Sequence, residues 1–375
     1  MKILYVTNRS EIFSGGQISL LEFLSGLDRS RFEPVALCPG EGGMSERLRS
    51  LGIKVYLWDM SSVRTFNILK IREKALELRD VITDCGADII HTNGSRAQFY
   101  AALALKNMDA HLVWHVRESI RDIPIYDRFL GSSAARIICV SRAVRKERFG
   151  GYPNLAPKIQ VIYNGVDTNK FFMDKEKSER TRGGMNIRRG DVLLGIIGLL
   201  VPLKGHPVLF EALKILAEKH PEVRLLVLGK TVDEAYGSRL RKMVRDMGIG
   251  EKVIFSPPRD DVKTVLSALD IFVLPSQREG FSRVLLEAMA CSTPIIASNV
   301  GGNNEAIVDG ESGLLVPCDD VMRLTEAIER LIAGIGFREK IGLKARERVK
   351  NYFSIEKNIL LVQKQYEELK ALQAH

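Results

Sequence analysis

Two glutamates eight residues apart, Glu279 and Glu287, stand in Pro275-Ser276-Gln277-Arg278-Glu279-Gly280-Phe281-Ser282-Arg283-Val284-Leu285-Leu286-Glu287-Ala288-Met289-Ala290. Paired carboxylates can act as acid/base or nucleophile on a glycosidic bond when they lie about 5 to 9.5 Å apart. On a helix this interval spans about 12 Å, at a rise of about 1.5 Å per residue. The spacing argues against a hydrolase pair and fits the two ends of one long ligand. The plainer alternative is one solvated glutamate before a helix and another on its exposed face. Between the two acids, Ser282 is placed to cap a helix starting near Arg283, and Gly280 permits a close approach or a positive φ. The backbone amides of Gly280, Phe281, Ser282, Arg283 and Val284 would then offer donors, and the positive end of the helix dipole, to a phosphate.

Other residues have types and places that bear on the same chemistry. Lys204, in Gly198-Leu199-Leu200-Val201-Pro202-Leu203-Lys204-Gly205-His206, follows an apolar strand and precedes a helix, where a mobile point charge suits a diphosphate. Gly15-Gly16 lies between the first strand and the first helix, either to close around a phosphate or sugar or simply to turn the chain. No G-x-G-x-x-G follows that strand, which removes the main support for a nicotinamide oxidoreductase. His115 ends the apolar run Leu112-Val113-Trp114; it reads as a structural histidine or a ligand contact. His91, after Ile89-Ile90, is a weaker candidate. No D-x-D stands in a loop able to hold a metal with a diphosphate, and Asp260-Asp261 reads as a helix start.

The elements that must position these residues alternate. In the first half, strands at Lys2 to Thr7, Pro34 to Cys38, Val55 to Leu57, Ile89 to His91, Leu112 to Val116 and Arg136 to Val140 are interleaved with helices at Gln17 to Leu27, Met44 to Leu51, Ile68 to Cys85 and from Arg96. The charged stretch 171–190 reads as a linker or excursion. A second alternation then runs from Val192 to Ile197 through Leu225 to Leu228, Val253 to Phe255 and Ile271 to Leu274 to Ile295. Strands interleaved with helices imply right-handed crossovers and doubly wound parallel sheets, whose ligands lie beyond the carboxyl ends of the strands.

Past the second glutamate, Cys291-Ser292-Thr293-Pro294-Ile295-Ile296-Ala297 and Gly301-Gly302-Asn303-Asn304-Glu305 complete a pattern. In this order and spacing they resemble the E-x7-E, A-x-G-x-P and G-G-x-x-E of glycosyltransferase family 4, the retaining group 1 glycosyl transferases of GT-B fold, with Ser282 and Ser292 at stations where glycine is common, a small change. Val161-Ile162-Tyr163-Asn164-Gly165-Val166-Asp167 resembles that family's Asn-Gly-Val-Asp joint, with Asp167 capping the chain that follows. The resemblance implies two Rossmann-like domains facing a central cleft, 1–170 for the acceptor and 191–351 for a nucleotide-sugar, with 352–375 a helix crossing back to the first domain. It assigns Glu279 to the sugar, Glu287 to the ribose, and Lys204 with Gly198 and the helix amides to the diphosphate. Gly15, Gly16 and His115 face the donor, and Glu279, His115 and Lys204 form the catalytic set; Arg117 and Glu118 are candidates for acceptor or membrane contact beside it. It implies transfer of a sugar from a UDP- or GDP-sugar to a hydroxyl of a glycan or lipid-linked acceptor, in cell-surface polysaccharide or lipopolysaccharide synthesis, with no metal cofactor. The sequence departs from the family where Leu199 replaces the usual arginine after Gly198, which leaves Arg259 or Arg283 as substitute cations. A nucleotide-sugar binder with little transferase activity is the alternative that this departure raises.

The 375 residues and 45% hydrophobic content predict two domains. No apolar run is long enough to span a membrane and the chain enters directly into a strand, so a cytoplasmic protein is expected. Five scattered cysteines without C-x-x-C spacing read as reduced core residues. Residues 1–170 carry 24 Lys+Arg against 18 Asp+Glu, so +6 of the net +9 lies there. Arg117, Arg121, Arg128, Arg136, Arg142, Arg145, Lys146 and Arg148 concentrate it beside Ile123, Ile125, Tyr126, Phe129 and Leu130. That mixture is either a solvated helix face or a surface for anionic lipid or a phosphorylated acceptor. No nucleic-acid motif accompanies it.

Overall fold

Most of the strands are unbroken apolar runs rather than alternations, as parallel sheets covered by helices on both faces require. In the computed structural model, which describes residues 1–12, 14–60, 67–118 and 124–373, they form two sheets in two units. The first unit is Met1–Gly165 with the chain from Ile355 onward; the second is Val166–Ser354.

The first sheet contains β1 (Lys2–Thr7), β2 (Glu33–Cys38), β3 (Lys54–Leu57), β4 (Ile89–Asn93), β5 (His111–Val116), β6 (Arg136–Cys139) and β7 (Ile159–Val161), in the order β3-β2-β1-β4-β5-β6-β7. Every pairing in it is parallel. Side chains alternate across β1. Ile3 and Tyr5 face one core with Leu20, Leu24 and the C-terminal helix Ile355–Gln373, which contributes Ile359, Val362, Tyr366 and Leu369. Leu4 and Val6 face the other core with Leu78, Ile82 and Tyr100. The C-terminal helix thus closes one face of the first sheet.

The second sheet contains β8 (Val192–Ile197), β9 (Val223–Leu228), β10 (Val253–Ser256), β11 (Ile271–Leu274), β12 (Ile295–Ser298) and β13 (Leu314–Val316), in the order β10-β9-β8-β11-β12-β13. Strand order reverses between β1 and β4 in one sheet and between β8 and β11 in the other. Those switch points leave crevices at the strand carboxyl ends, where ligands of open α/β sheets bind.

The charged stretch 171–190, expected as a linker or excursion, carries a helix, Lys175–Gly184, that belongs to the second unit. Its anchors are polar: Ser178 Oγ donates to the Ser267 carbonyl at 2.9 Å, and Arg182 Nη1 to the Ala268 carbonyl at 2.9 Å and to Asp270 at 2.8 Å. A segment held by hydrogen bonds rather than an apolar stripe gives no hydrophobic period. Cys38, Cys85, Cys139 and Cys291 are buried, but Cys318 is exposed, because it follows β13 into the polar turn at Asp319-Asp320. Among the described residues no helix is long and apolar enough to cross a membrane.

Candidate functional site

In the second unit the loops after β8 and β11, on either side of the switch point, are tied together. Gln277 N donates to the Leu203 carbonyl at 2.9 Å. Gly205 sits at φ 70°, and a Cβ there would come 2.0 Å from the Pro275 carbonyl oxygen, so only glycine lets the two loops close. This stitching brings Lys204 Nζ within 2.6 Å of Glu279 Oε1, an oxygen that also accepts from Ser276 Oγ at 2.7 Å. The Glu279 side chain is 10% exposed and that of Lys204 22%, so the pair is partly screened but reachable. Gly301, at φ 49°, fixes the other side: a Cβ there would lie 1.9 Å from the Glu279 carbonyl oxygen, and Gly302 N donates to that oxygen at 3.1 Å. The Gly-Gly of the G-G-x-x-E segment therefore sets the position of Glu279.

The helix Arg283–Ala290 begins four residues later and is buried along nearly all its length. Ser282 holds the cap position with extended backbone, yet its side chain makes no capping bond, contrary to expectation. The Ser282 hydroxyl leaves the first-turn amides uncapped, and an anion would meet them there. The left-handed glycines flanking the site are Gly198, Gly205 and Gly301 rather than Gly280. Glu287, one turn on from Arg283, pairs with it at 2.7 Å, both side chains under 10% exposed. Arg259, the other substitute cation considered for Leu199, is held by Asp261 through two contacts of 2.7 Å. His206, directly after the Lys204 turn, is buried; desolvation, and secondarily the Lys204 charge, push its pKa down to about 4.

In the first unit Gly15 and Gly16 start the helix Gly15–Ser25 after β1, and His115 ends β5. His115 Nδ1 lies 3.2 Å from His91 Nε2 and 3.5 Å from Arg117 Nη2. Arg117 spans this corner: its Nε reaches Asn93 Oδ1 at 3.3 Å and its Nη1 Asn164 Oδ1 at 2.8 Å. A Cβ on Gly16 would come within 3.1 Å of Arg117 Cδ. Burial, with the Arg117 charge second, drives the His91 pKa down to about 3 and that of His115 well below its usual range, so both rings are neutral. In the Asn-Gly-Val-Asp segment Asp167 caps the chain that follows, its Oδ1 accepting from Asn169 N at 2.8 Å and Lys170 N at 3.0 Å.

The basic cluster divides. Arg142, Arg145 and Lys146 are exposed on the helix Arg142–Phe149, and Ile125 (78%) and Phe129 (40%) are exposed on the helix Pro124–Ser133. Arg148 is not part of that surface: it is 3% exposed, donates to Asp127 Oδ1 at 2.7 Å and to Ser95 Oγ at 2.8 Å, and lies over the Trp114 ring. A buried carboxylate drew it inward. Glu118 is exposed; Arg121 and Ile123 lie outside the described residues. Sequence reasoning missed Ser276 and Tyr366. Ser276 stood inside the quoted motif and was readable as a short hydroxyl beside a carboxylate, whereas nothing in the last helix marks Tyr366.

Residues 177–348 match the family described as Glycosyl transferases group 1, and residues 13–170 match Glycosyltransferase Family 4. An uncharacterized glycosyltransferase of Methanocaldococcus jannaschii is 30% identical over 301 residues, 78% of each chain. The capsular polysaccharide biosynthesis glycosyltransferase CapM of Staphylococcus aureus is 30% identical over 230 residues, 59% of this chain and 58% of CapM. The chain spans about half the length of the first curated relatives it matches, 45% to 58%. Anabaena HepE, solved in complex with UDP-glucose, superposes with a TM-score of 0.87 at 21% identity, over 98% of this chain and all of HepE, which places the fold in the GT-B class. With both halves matched and a relative aligned over most of its length, the chain belongs to the group 1 glycosyl transferases, glycosyltransferase family 4.

Proposed function

We propose that the protein transfers a sugar from a nucleoside-diphosphate sugar to a hydroxyl of a glycan or lipid-linked acceptor, with retention at the anomeric carbon. The observation that carries this reading is Lys204 Nζ held 2.6 Å from Glu279 beside a helix start that the Ser282 side chain does not cap, at the switch point of the second sheet. Lys204 and the first-turn amides take the diphosphate, and Glu279 accepts from the sugar hydroxyls. Glu287 accepts from the ribose, sharing its carboxylate with Arg283. In the transfer step the bond from C1 to the β-phosphate oxygen breaks while the acceptor oxygen bonds C1 on the same face, and the departing phosphate takes the acceptor proton. Charge on the leaving diphosphate is met by Lys204 and the amides without a divalent metal, so chelation leaves turnover unchanged.

A UDP-sugar is the favoured donor, in line with the UDP-glucose bound by HepE. The likeness to CapM favours a cell-surface polysaccharide acceptor. The exposed Arg142, Arg145 and Lys146, with Ile125 and Phe129, suit a lipid-linked acceptor presented at an anionic membrane surface. A panel of UDP-, GDP- and ADP-sugars tests the reading: one donor yields free nucleotide, slowly with water and faster with a cell-envelope acceptor extract. Tight binding of a donor with no nucleotide release under any condition overturns it in favour of a binding protein.

A further inference from the structure

A buried line of polar atoms crosses the first unit from β1 through the C-terminal helix to β5. Tyr5 Oη lies 3.3 Å from Tyr366 Oη, Tyr366 Oη 2.6 Å from His91 Nδ1, and His91 Nε2 3.2 Å from His115 Nδ1. Tyr5, Tyr366, His91 and His115 are each no more than 4% exposed. At the far end His115 Nε2 is buried without a hydrogen-bond partner among the described residues. An unpaired polar atom in such a place is costly unless a ligand or a water meets it.

The protons in this line are assigned by counting donors, and two directions are open. In one, His115 Nδ1 donates toward Tyr5 and Nε2 is left as a bare acceptor. In the other, Tyr5 donates to Tyr366, Tyr366 to His91 Nδ1, and His91 Nε2–H to His115 Nδ1, which leaves His115 Nε2–H pointing outward. Arg117 decides between them. Its guanidinium carries only donors, and Nη2 lies 3.5 Å from His115 Nδ1, so that nitrogen must be the lone-pair side. A proton on Nδ1 would face a cationic N–H. Tyr366 in turn is what keeps His91 protonated on Nε2, because its hydroxyl donates to the opposite ring nitrogen.

We infer that Tyr366, from the C-terminal helix, is a positioning residue that acts through His91 to hold His115 in the Nε2–H form, making His115 a hydrogen-bond donor to a sugar hydroxyl. The role toward the sugar rests on the transferase reading; the tautomer does not. The helix Ile355–Gln373 therefore sets the proton position of His115, in addition to covering the sheet.

The test is long-range proton–nitrogen NMR on the full chain with 15N-labelled histidine, with resonances assigned through His91→Gln and His115→Gln, and donor turnover measured alongside. Wild-type His115 is expected to be protonated on Nε2, with Nδ1 unprotonated. Tyr366→Phe keeps the ring against Phe32 and His91, mixes the tautomers of both histidines, and lowers kcat about tenfold, the size of one buried hydrogen bond left unmade. The donor KM changes less than kcat. Tyr5→Phe also removes one buried hydroxyl but leaves the Tyr366 to His91 bond, so it retains the wild-type tautomer and most of kcat. Wild-type His115 protonated on Nδ1, or unchanged tautomers in Tyr366→Phe, or equal effects of the two tyrosine variants, overturns the inference. The expected tautomers without turnover of any donor would refute the transferase reading and leave the Tyr366 assignment standing.

Discussion

Glu279→Gln separates the two ends of the ligand by the sign of its effects. Glu279 Oε1 accepts from Lys204 Nζ at 2.6 Å and from Ser276 Oγ at 2.7 Å. A bound diphosphate must draw Lys204 off that carboxylate or share it. With the lysine side chain 22% exposed, solvent screening puts the pair near the top of the range for surface ion pairs, about 1 kcal/mol. The amide removes the competing charge while keeping an oxygen for both donors. UDP affinity should therefore hold or tighten, by up to about fivefold at 1.4 kcal/mol per tenfold. Turnover moves the other way. Losing a charge-assisted hydrogen bond to the sugar, about 1.5 to 3 kcal/mol, lowers kcat/KM about 10- to 150-fold. Calorimetric titration with UDP and a released-UDP assay with the intact donor read the two effects separately. Parallel loss of UDP affinity and turnover would refute the placement of Glu279 at the sugar end.

Lys204→Met should weaken UDP binding about tenfold or more through loss of a cation–phosphate hydrogen bond, read by the same titration; unchanged affinity would remove it from the diphosphate. Glu287→Ala removes one partner of the buried Arg283–Glu287 pair and should cost about 3 to 5 kcal/mol in denaturant unfolding, most of it recovered in Arg283→Met/Glu287→Met. Gly301→Ala must place a Cβ 1.9 Å from the Glu279 carbonyl oxygen at φ 49°, so it should lower Tm by several degrees and reduce turnover, whereas Gly183→Ala, with open space around it, should do neither. His91 and His206, with pKa values lowered to about 3 and about 4, are neutral when folded and protonate more readily when unfolded. The stability they contribute is fully present above pH 6.5 and is lost as pH falls through those folded values, so urea midpoints should drop between pH 6.5 and 4, less so in His206→Gln. In flotation assays, binding to anionic but not neutral vesicles is expected to weaken in Arg142→Ser/Arg145→Ser/Lys146→Ser; indifference to lipid charge would refute a membrane role for that face.

Long apolar strands were legible because their signals are local. β1, β5 and β8 fall where their apolar runs end, and the Lys204, Glu279 and Glu287 stations follow from strand ends and a helix start. β7 and β13, three residues each, are too short to show a period. The helix Lys175–Gly184 was hidden because serine and arginine anchor it. Arg148 looked like surface charge because nothing in the chain places Asp127 beside it, 21 residues away. Tyr366 reaches His91 across 275 residues, a proximity set by packing of the last helix and by no pattern in the sequence. Expecting Ser282 to cap its helix overestimated a propensity: the residue type and backbone are right, but the hydroxyl makes no such bond.

The central claim is that one donor spans from Glu279 to Glu287 across the start of the helix Arg283–Ala290. A crystal structure of the protein with intact UDP-glucose tests it most directly. The account predicts diphosphate oxygens within hydrogen-bonding distance of Lys204 Nζ and the first-turn amides, ribose hydroxyls on Glu287, and hexose hydroxyls on Glu279. A diphosphate bound away from that helix start, or a ribose that makes no hydrogen bond to Glu287, would contradict it.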